Sequence, residues 1–504
     1  MRRIFACLAC TCTFAPLALA QYNESAVTNL IEEGKNHNQG VALLKEMTSK
    51  FGHRRTGSKS LFAAQQWAMK KLNEFGWKNV HLEQWGEIPV GFERGPVTPG
   101  RMVAPFKYSF DFASPAWTGG THGPLQAEAV LCPETVEGIR NAAQSLKGKW
   151  VVMRDLVAMR GSRRPDKMTA DARSKDTAAA LREDIELELD KIAIAGRVFG
   201  ESEKRNWLHT HGKFSDLDPA KLPTEVRVNL RFRDHRLLTN ELKSGKNVVL
   251  EFDVNQHFLK GKVPLYNVVA ELPGTDKASE MVVFGGHFDS WDPPRSQGAS
   301  DNGTGSMISL EAARLLAKVG GTSRRTLRII LFSGEEQGLL GSAGDVKRLG
   351  DGARKSIQAM VNEDGGSNWW SGVTGLPEWK SALDRVAVLI NRAFPDKPFT
   401  VNEAKGGFPR GAGTDHASYL SKGIPGFQCS KAGPQNYGYI WHTTEDRFEN
   451  TVPEGIVQMS TGMSLFVYSL ANESEMLWRP DVWPVPTSET TRSVGEAPEE
   501  DHDH

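Results

Sequence analysis

At 504 residues the chain is too long for one small core and calls for two domains or a large one with an insertion. Lys plus Arg and Asp plus Glu both total 61, so no global charge draws it to nucleic acid or to an anionic membrane. Apolar residues at 39% and 49 glycines fit a loop-rich globular enzyme, and after residue 20 no stretch is apolar enough to span a bilayer.

The start, Met1-Arg2-Arg3 and then Ile4 to Ala20, pairs a basic end with a short apolar run and closes on Ala18-Leu19-Ala20 before Gln21. This is the pattern of a cleavable secretory signal over 1–20, cut after Ala20, and it predicts a secreted or periplasmic protein. Cys132 and Cys429 remain beyond it, fall in different predicted segments, and read as two separate buried thiols.

From Asn23 to Phe51 the apolar positions recur at near-helical spacing, broken around Asn36 to Gly40, which predicts two short helices. The polar turn Gly52 to Ser58 leads into a helix from Leu61 to Phe75, and a strand follows near Val80 to Trp85. His53 in that turn reads as structural. Pro and Gly cluster at Gly95 to Pro105 and Ser114 to Gly123, a natural boundary. The expected division is 21–115 as the first part of a catalytic domain, 116–258 as a β-rich insert, 259–475 as the second catalytic part, and 476–504 as a disordered tail. Within the insert, Ala127 to Cys132 and Lys149 to Met153 read as strands, Thr169 to Ile192 as helical, and Val226 to Val254 as alternating strand.

The chain after Val263 alternates strands and helices, which predicts an α/β fold with a mostly parallel sheet covered on both faces. Met281 to Ser290 is a strand-like run that ends in Gly286-His287-Phe288-Asp289. Ser300-Asp301-Asn302-Gly303 is a turn opening onto a helix, Ser306 to Ala317. Thr326 to Phe332 stops at Glu335-Glu336, and Ala359 to Asn362 stops at Glu363-Asp364. Ends of parallel strands open on one side of a sheet, so these groups can converge. A helix is expected at Trp379 to Ala393, a strand after Gly423, and a last helix at Pro453 to Ala471.

Imidazole and carboxylate are the ligands zinc takes, and two zinc ions close together need a carboxylate bridge, further ligands each, and a separate base. Asp301 suits the bridge, His287 with Asp364 one ion, and Glu336 with a later histidine the other. That histidine is read as His442, with His416 as the competing candidate, and Glu363 leaves the Asp364 ligand open by one position. Glu335 remains for the general base. Asp289 is expected to fix the tautomer of His287 by accepting its other ring proton.

In order and spacing, Gly-Gly-His287-x-Asp289-Ser290, Ser300-Asp301-Asn302-Gly303, Glu335-Glu336, Asp364 and His442 resemble the M28 family of dizinc peptidases, in particular its carboxypeptidase Q branch. The resemblance runs from about Glu32 to about Ala471. It implies a zinc exopeptidase fold, two zinc ions held by His287, Asp301, Glu336, Asp364 and His442, and Glu335 as base, with 116–258 resembling the protease-associated insert of such enzymes. The implied reaction is hydrolysis of dipeptides or short peptides by water shared between the metals. Arg410 is a candidate for a substrate carboxylate, although a surface role suits it better. Expected partners are a peptide substrate and, as an open option, a second copy of the chain. Competing readings are a non-catalytic binding protein on the same fold and a one-zinc cyclase-like enzyme.

Overall fold

The computed structural model describes residues 22–154, 177–201, 208–215, 217–350, 352–411, 413–481 and 483. The expected leader and the tail from 484 lie outside the described residues, as do residues 155–176, which include the start of the helical region expected at Thr169 to Ile192.

Helices α1 (Glu24–Asn36) and α2 (Gly40–Phe51) break where the sequence predicts. The Asn23 side chain caps α1 by accepting from the Ala26 amide, and Ser58 caps α3 (Lys59–Glu74) in the same way through Leu61. Then follow β1 (Lys78–Ile88), β2 (Gly91–Arg94), β3 (Gly100–Ala104), β4 (Tyr108–Phe110), β5 (Phe112–Ala113), β6 (Leu125–Leu131), α4 (Val136–Leu146), β7 (Trp150–Val152) and α5 (Thr177–Leu189). After β8 (Gly196–Gly200) and β9 (Arg227–Leu230) comes α6 (Phe232–Lys243), then β10 (Val249–Phe252), β11 (Gln256–Leu259), β12 (Val263–Leu272) and β13 (Lys277–His287). The remainder is α7 (Thr304–Lys318), β14 (Arg325–Phe332), α8 (Leu340–Leu349), α9 (Ala353–Ser356), β15 (Ile357–Asn362), β16 (Trp369–Gly375), α10 (Lys380–Ala393), β17 (Thr400–Glu403), α11 (His416–Leu420), β18 (Gly426–Ala432), α12 (Tyr437–Ile440) and α13 (Pro453–Asn472).

The main sheet has the order β1-β12-β14-β13-β15-β18-β16-β17. Its middle strands β14, β13, β15 and β18 are mutually parallel, β16 and β17 pair in parallel, and the remaining neighbours are antiparallel. Side chains alternate across it as strand geometry requires. Val268, Ala270, Phe284, Ile329 and Val361 pack beneath α1, α2, α3, α7, α10 and α13, while Val269, Val283, Ile330 and Met360 meet α8 and α11 on the other face. The mixed, doubly covered α/β sheet expected from the sequence is present.

A second sheet, β4-β3-β10-β6-β7-β8-β9-β5, takes in every strand between β2 and β11. Trp150 and Val152 face α6 and the Phe110, Phe252 and Leu250 side chains, whereas Val151 faces α4 and α5. Its first strands precede the Ser114 to Gly123 loop, so the sheet begins earlier than residue 116. The chain leaves and re-enters the main body through the antiparallel pair β2 and β11, Arg94 opposite Gln256. Arg94 closes this neck, bonding Asp292, the Gln256 side chain and the Ser114 carbonyl.

The structure corrects one element. Val226 to Val254 is not continuous alternating strand but β9, α6 and β10. Buried Asp234, His235, Leu238 and Thr239 give the helix its inner face, and the charge of Asp234 together with the neighbouring Arg233 and Arg236 masks that period in the sequence. The tail also departs at its start: Leu477 is buried, and Arg479 donates to the carbonyls of Arg354, Ile357 and Gln358.

Candidate metal and catalytic site

The site lies where β13, β14 and β15 end. β13 passes its neighbours closely through Gly285 and Gly286, where a Cβ would stand 1.8 Å from the Ile330 carbonyl oxygen and 2.3 Å from that of Glu363. Glycine is required there, and the close passage sets His287 beside the ends of both flanking strands. His287 Nδ1 lies 3.0 Å from the Asp289 carbonyl oxygen, which turns Nε2 inward. Nε2 is 3.5 Å from both Asp301 Oδ1 and Asp364 Oδ1, and 3.8 Å from Glu335 Oε2. On the opposite side, His442 Nε2 is 2.9 Å from Glu336 Oε2 and 3.1 Å from Asp301 Oδ2. The two oxygens of Asp301 therefore address two different histidines, each with its own second carboxylate.

Buried polar contacts fix the backbone that carries these groups. Asp446 accepts the amides of Ser300 at 2.5 Å and Asp301 at 3.2 Å. Arg54, fully buried, donates to the carbonyls of Phe288, Gly52, Gln297 and Gly298 and so ties the His287 loop to the Asp301 turn. Asn302 donates to the Glu363 carbonyl at 2.8 Å, and Gln428 and Lys431 donate to that of Asp364.

Of the residues singled out from the sequence, His287, Asp301, Glu335, Glu336, Asp364 and His442 come together. Asp289 is adjacent, but its part differs from the expected one: the backbone carbonyl, not the carboxylate, receives the His287 ring, and Oδ1 stands 3.7 Å away. Its carboxylate accepts from Thr56 at 2.7 Å and lies 3.4 Å from the Glu336 amide. Glu363 points away into contacts with Trp370 and Lys431, which leaves Asp364 facing the cluster. His53 stands among Arg54, Arg55, Arg94 and Asp292, His416 makes no ion pair with a carboxylate among the described residues whereas His442 makes two, and Arg410 is exposed. Asp446 escaped the sequence reading. Its only signal was a carboxylate four residues past the candidate histidine. Asp415, beside His416, has both carboxylate oxygens buried without a hydrogen-bond donor among the described residues.

The electrostatics of the cluster ask for cations. Burial alone would lower the basicity of His287 and His442, yet Glu335 and Asp364 raise the first well above the ordinary imidazole value, and Glu336 and Asp301 raise the second to about 10. Burial pushes Glu335 far up, and with Asp301 nearby it pushes Glu336 up to about 7 and Asp446 to about 8. Among the described residues Glu336 Oε1 has no hydrogen-bond donor, and Asp301 Oδ2 has only the His442 ring beside it. Ligand atoms of His287, Asp301 and Glu336 lie within 4.8 Å of one another, as do those of His287, Glu335 and Asp364. Nitrogen and oxygen donors so close, buried and with excess negative charge, fit a divalent metal such as zinc.

Residues 267–467 match the model of Peptidase family M28. The chain is 26% identical over 469 residues to Carboxypeptidase Q of Xenopus laevis, covering 92% of each, and 25% identical over 456 residues to that of Homo sapiens, covering 90% of each. Among solved structures, a Peptidase M28 precursor from Shewanella amazonensis superposes with a TM-score of 0.65 at 23% identity, over 90% of this chain and 98% of that one. A zinc aminopeptidase from Bacillus subtilis superposes with a TM-score of 0.57 at 18% identity, over 85% and 94%. Fold and site thus define a metallopeptidase. Residues 267–467 are similar to family M28, and along nearly its whole length the chain is similar to carboxypeptidase Q. Among the described residues no helix is long and apolar enough to cross a membrane.

Proposed function

We propose that the chain is a secreted exopeptidase that holds two zinc ions and cleaves dipeptides or short peptides. The observation that carries this reading is the Asp301 carboxylate, with Oδ1 toward His287 and Oδ2 toward His442. His287 and Asp364 would hold one ion, His442 and Glu336 the other, and Asp301 both. When bound, such a pair polarises a carbonyl and makes a neighbouring water acidic. Glu335 takes the proton of the attacking water and delivers it to the departing amine, a task suited to a carboxylate whose pKa burial has raised. Asp289, held by Thr56, steadies the start of the Glu335-Glu336 turn through the Glu336 amide. Export behind the Met1 to Ala20 leader belongs to the same reading, with Gln21 as the mature first residue. A homodimer is compatible with it and is read out by light scattering.

The deciding experiment is zinc analysis of the purified protein together with hydrolysis of a dipeptide panel. Two equivalents per chain are expected. Glu335→Gln is expected to keep them while kcat drops about 10²–10⁴-fold, the usual contribution of a positioned acid–base group. A Glu335→Gln variant that keeps its zinc and cleaves at the wild-type rate removes Glu335 from the role of base.

A further inference from the structure

The two histidines of the site are held by different means. His287 has its outer ring nitrogen on the Asp289 carbonyl. Nδ1 of His442 is buried with no hydrogen-bond partner among the described residues, so no polar contact on that side fixes the ring. Its surroundings are aromatic instead. Trp441 lies against it with ring centres 4.0 Å apart, while His211 at 5.1 Å and 74° and Trp291 at 6.2 Å and 71° meet it edge to face. Rings packed on several sides restrict an imidazole because interiors are dense and each rotation meets atoms.

One wall of this enclosure comes from the second sheet's part of the chain. Residues 208–215 run from that part to the site and pair with the loop of His442: His209 forms an antiparallel bridge with Thr443, and the Thr444 amide donates to the Leu208 carbonyl at 3.1 Å. The His211 carbonyl accepts from the Ala116 amide at 2.9 Å, and Phe214 packs edge on against Trp117, which in turn meets Trp291. Backbone pairing and ring contacts together seat the His211 ring on His442, although His211 itself is exposed at the rim.

We propose that this aromatic enclosure does for His442 what the Asp289 carbonyl does for His287, and that His211 is a positioning residue that sets the affinity of the zinc held by His442 and Glu336. The proposal rests on the two-ion reading of the site. It makes the second sheet part of the metal centre without supplying a ligand.

The test is an equilibrium zinc titration against a competing chromophoric chelator, with the Co²⁺ absorption spectrum as second readout, on the full-length wild-type chain, His211→Ala and His211→Phe. His211→Ala is expected to weaken one of the two ions about 10–100-fold, the usual effect of losing a group that orients a ligand, and to shift the cobalt bands. His211→Phe, which keeps a ring but no nitrogen, is expected to restore both. An Ala variant that titrates like wild type overturns the proposal, and so does a Phe variant no better than Ala, since the nitrogen rather than the ring would then be at work. Should His211→Ala fail to fold, His211→Leu against His211→Phe gives the same contrast. A wild-type chain that takes a single zinc equivalent sinks the two-ion reading, while the comparison of variants on that one ion still judges the enclosure.

Discussion

The carboxylate of Asp446 collects the amides of Ser300 and Asp301 and so aims the one side chain that faces both histidines. Asp446→Ala is expected to leave those amides buried without an acceptor and to weaken zinc binding about 10–100-fold, read by the same competition titration. Asp364 and Glu363 offer a sharper contrast. Asp364→Asn should cost a zinc equivalent, whereas Glu363→Gln should keep both and lower the thermal midpoint, because Glu363 serves Trp370 and Lys431. At this scale the convergence of His287, Asp301, Glu335, Glu336, Asp364 and His442 was legible from residue type and motif order, with His287, Glu335, Glu336 and Asp364 at or just past strand ends, Asp301 in a turn and His442 in a loop. Asp446 and the backbone carbonyl of Asp289 were not, since their parts depend on which atom points where, and residue type does not encode that.

Between elements, Asp292 joins three pieces of chain. It receives Arg55 at 3.1 Å from the turn before α3 and Arg94 at 2.7 Å from the neck, with Thr210 Oγ1 at 3.4 Å. Burial alone would raise its carboxyl, but Arg94 and Arg55 hold it well below the usual carboxylate range. A folded-state pKa below the unfolded value near 4 stabilises the protein above that value, and the gain is lost as pH falls toward the folded one. Wild-type protein is therefore expected to lose stability below about pH 4, and Asp292→Asn to flatten that limb in urea titrations. At neutral pH the variant should cost about 3–5 kcal/mol, because Arg55 is left buried without its counter-charge. Elements were legible in the sequence where apolar residues run on continuously, as in β13 and β14, or recur at helical spacing, as in α7. Helix α6 was hidden because charges stand among its buried positions, and β16 and β17 were hidden because Trp369 to Gly375 lies in a glycine-rich stretch and Thr400 to Glu403 is short and largely exposed.

For the molecule as a whole, metal and stability are linked. The cluster gathers Asp301, Glu335, Glu336, Asp364 and, close by, Asp415 and Asp446 in one buried space, where carboxylates unpaired with cations repel. Chelation is expected to lower the thermal midpoint and zinc to restore it. At a free zinc level a hundredfold above the dissociation constant the linkage amounts to about 2.7 kcal/mol for each ion. Reductant should have no such effect, since Cys132 and Cys429 are free thiols buried in separate cores.

The antiparallel neck has a further meaning. Because Arg94 and Gln256 sit opposite each other, everything between them is a detour whose departure and return share one doorway. A passage of this kind can be lengthened, shortened or exchanged without re-threading the principal sheet, so variation in the lineage has a place to accumulate. The contact of 208–215 with the His442 loop limits that freedom: whatever is spliced in at the doorway must still reach across to Thr443.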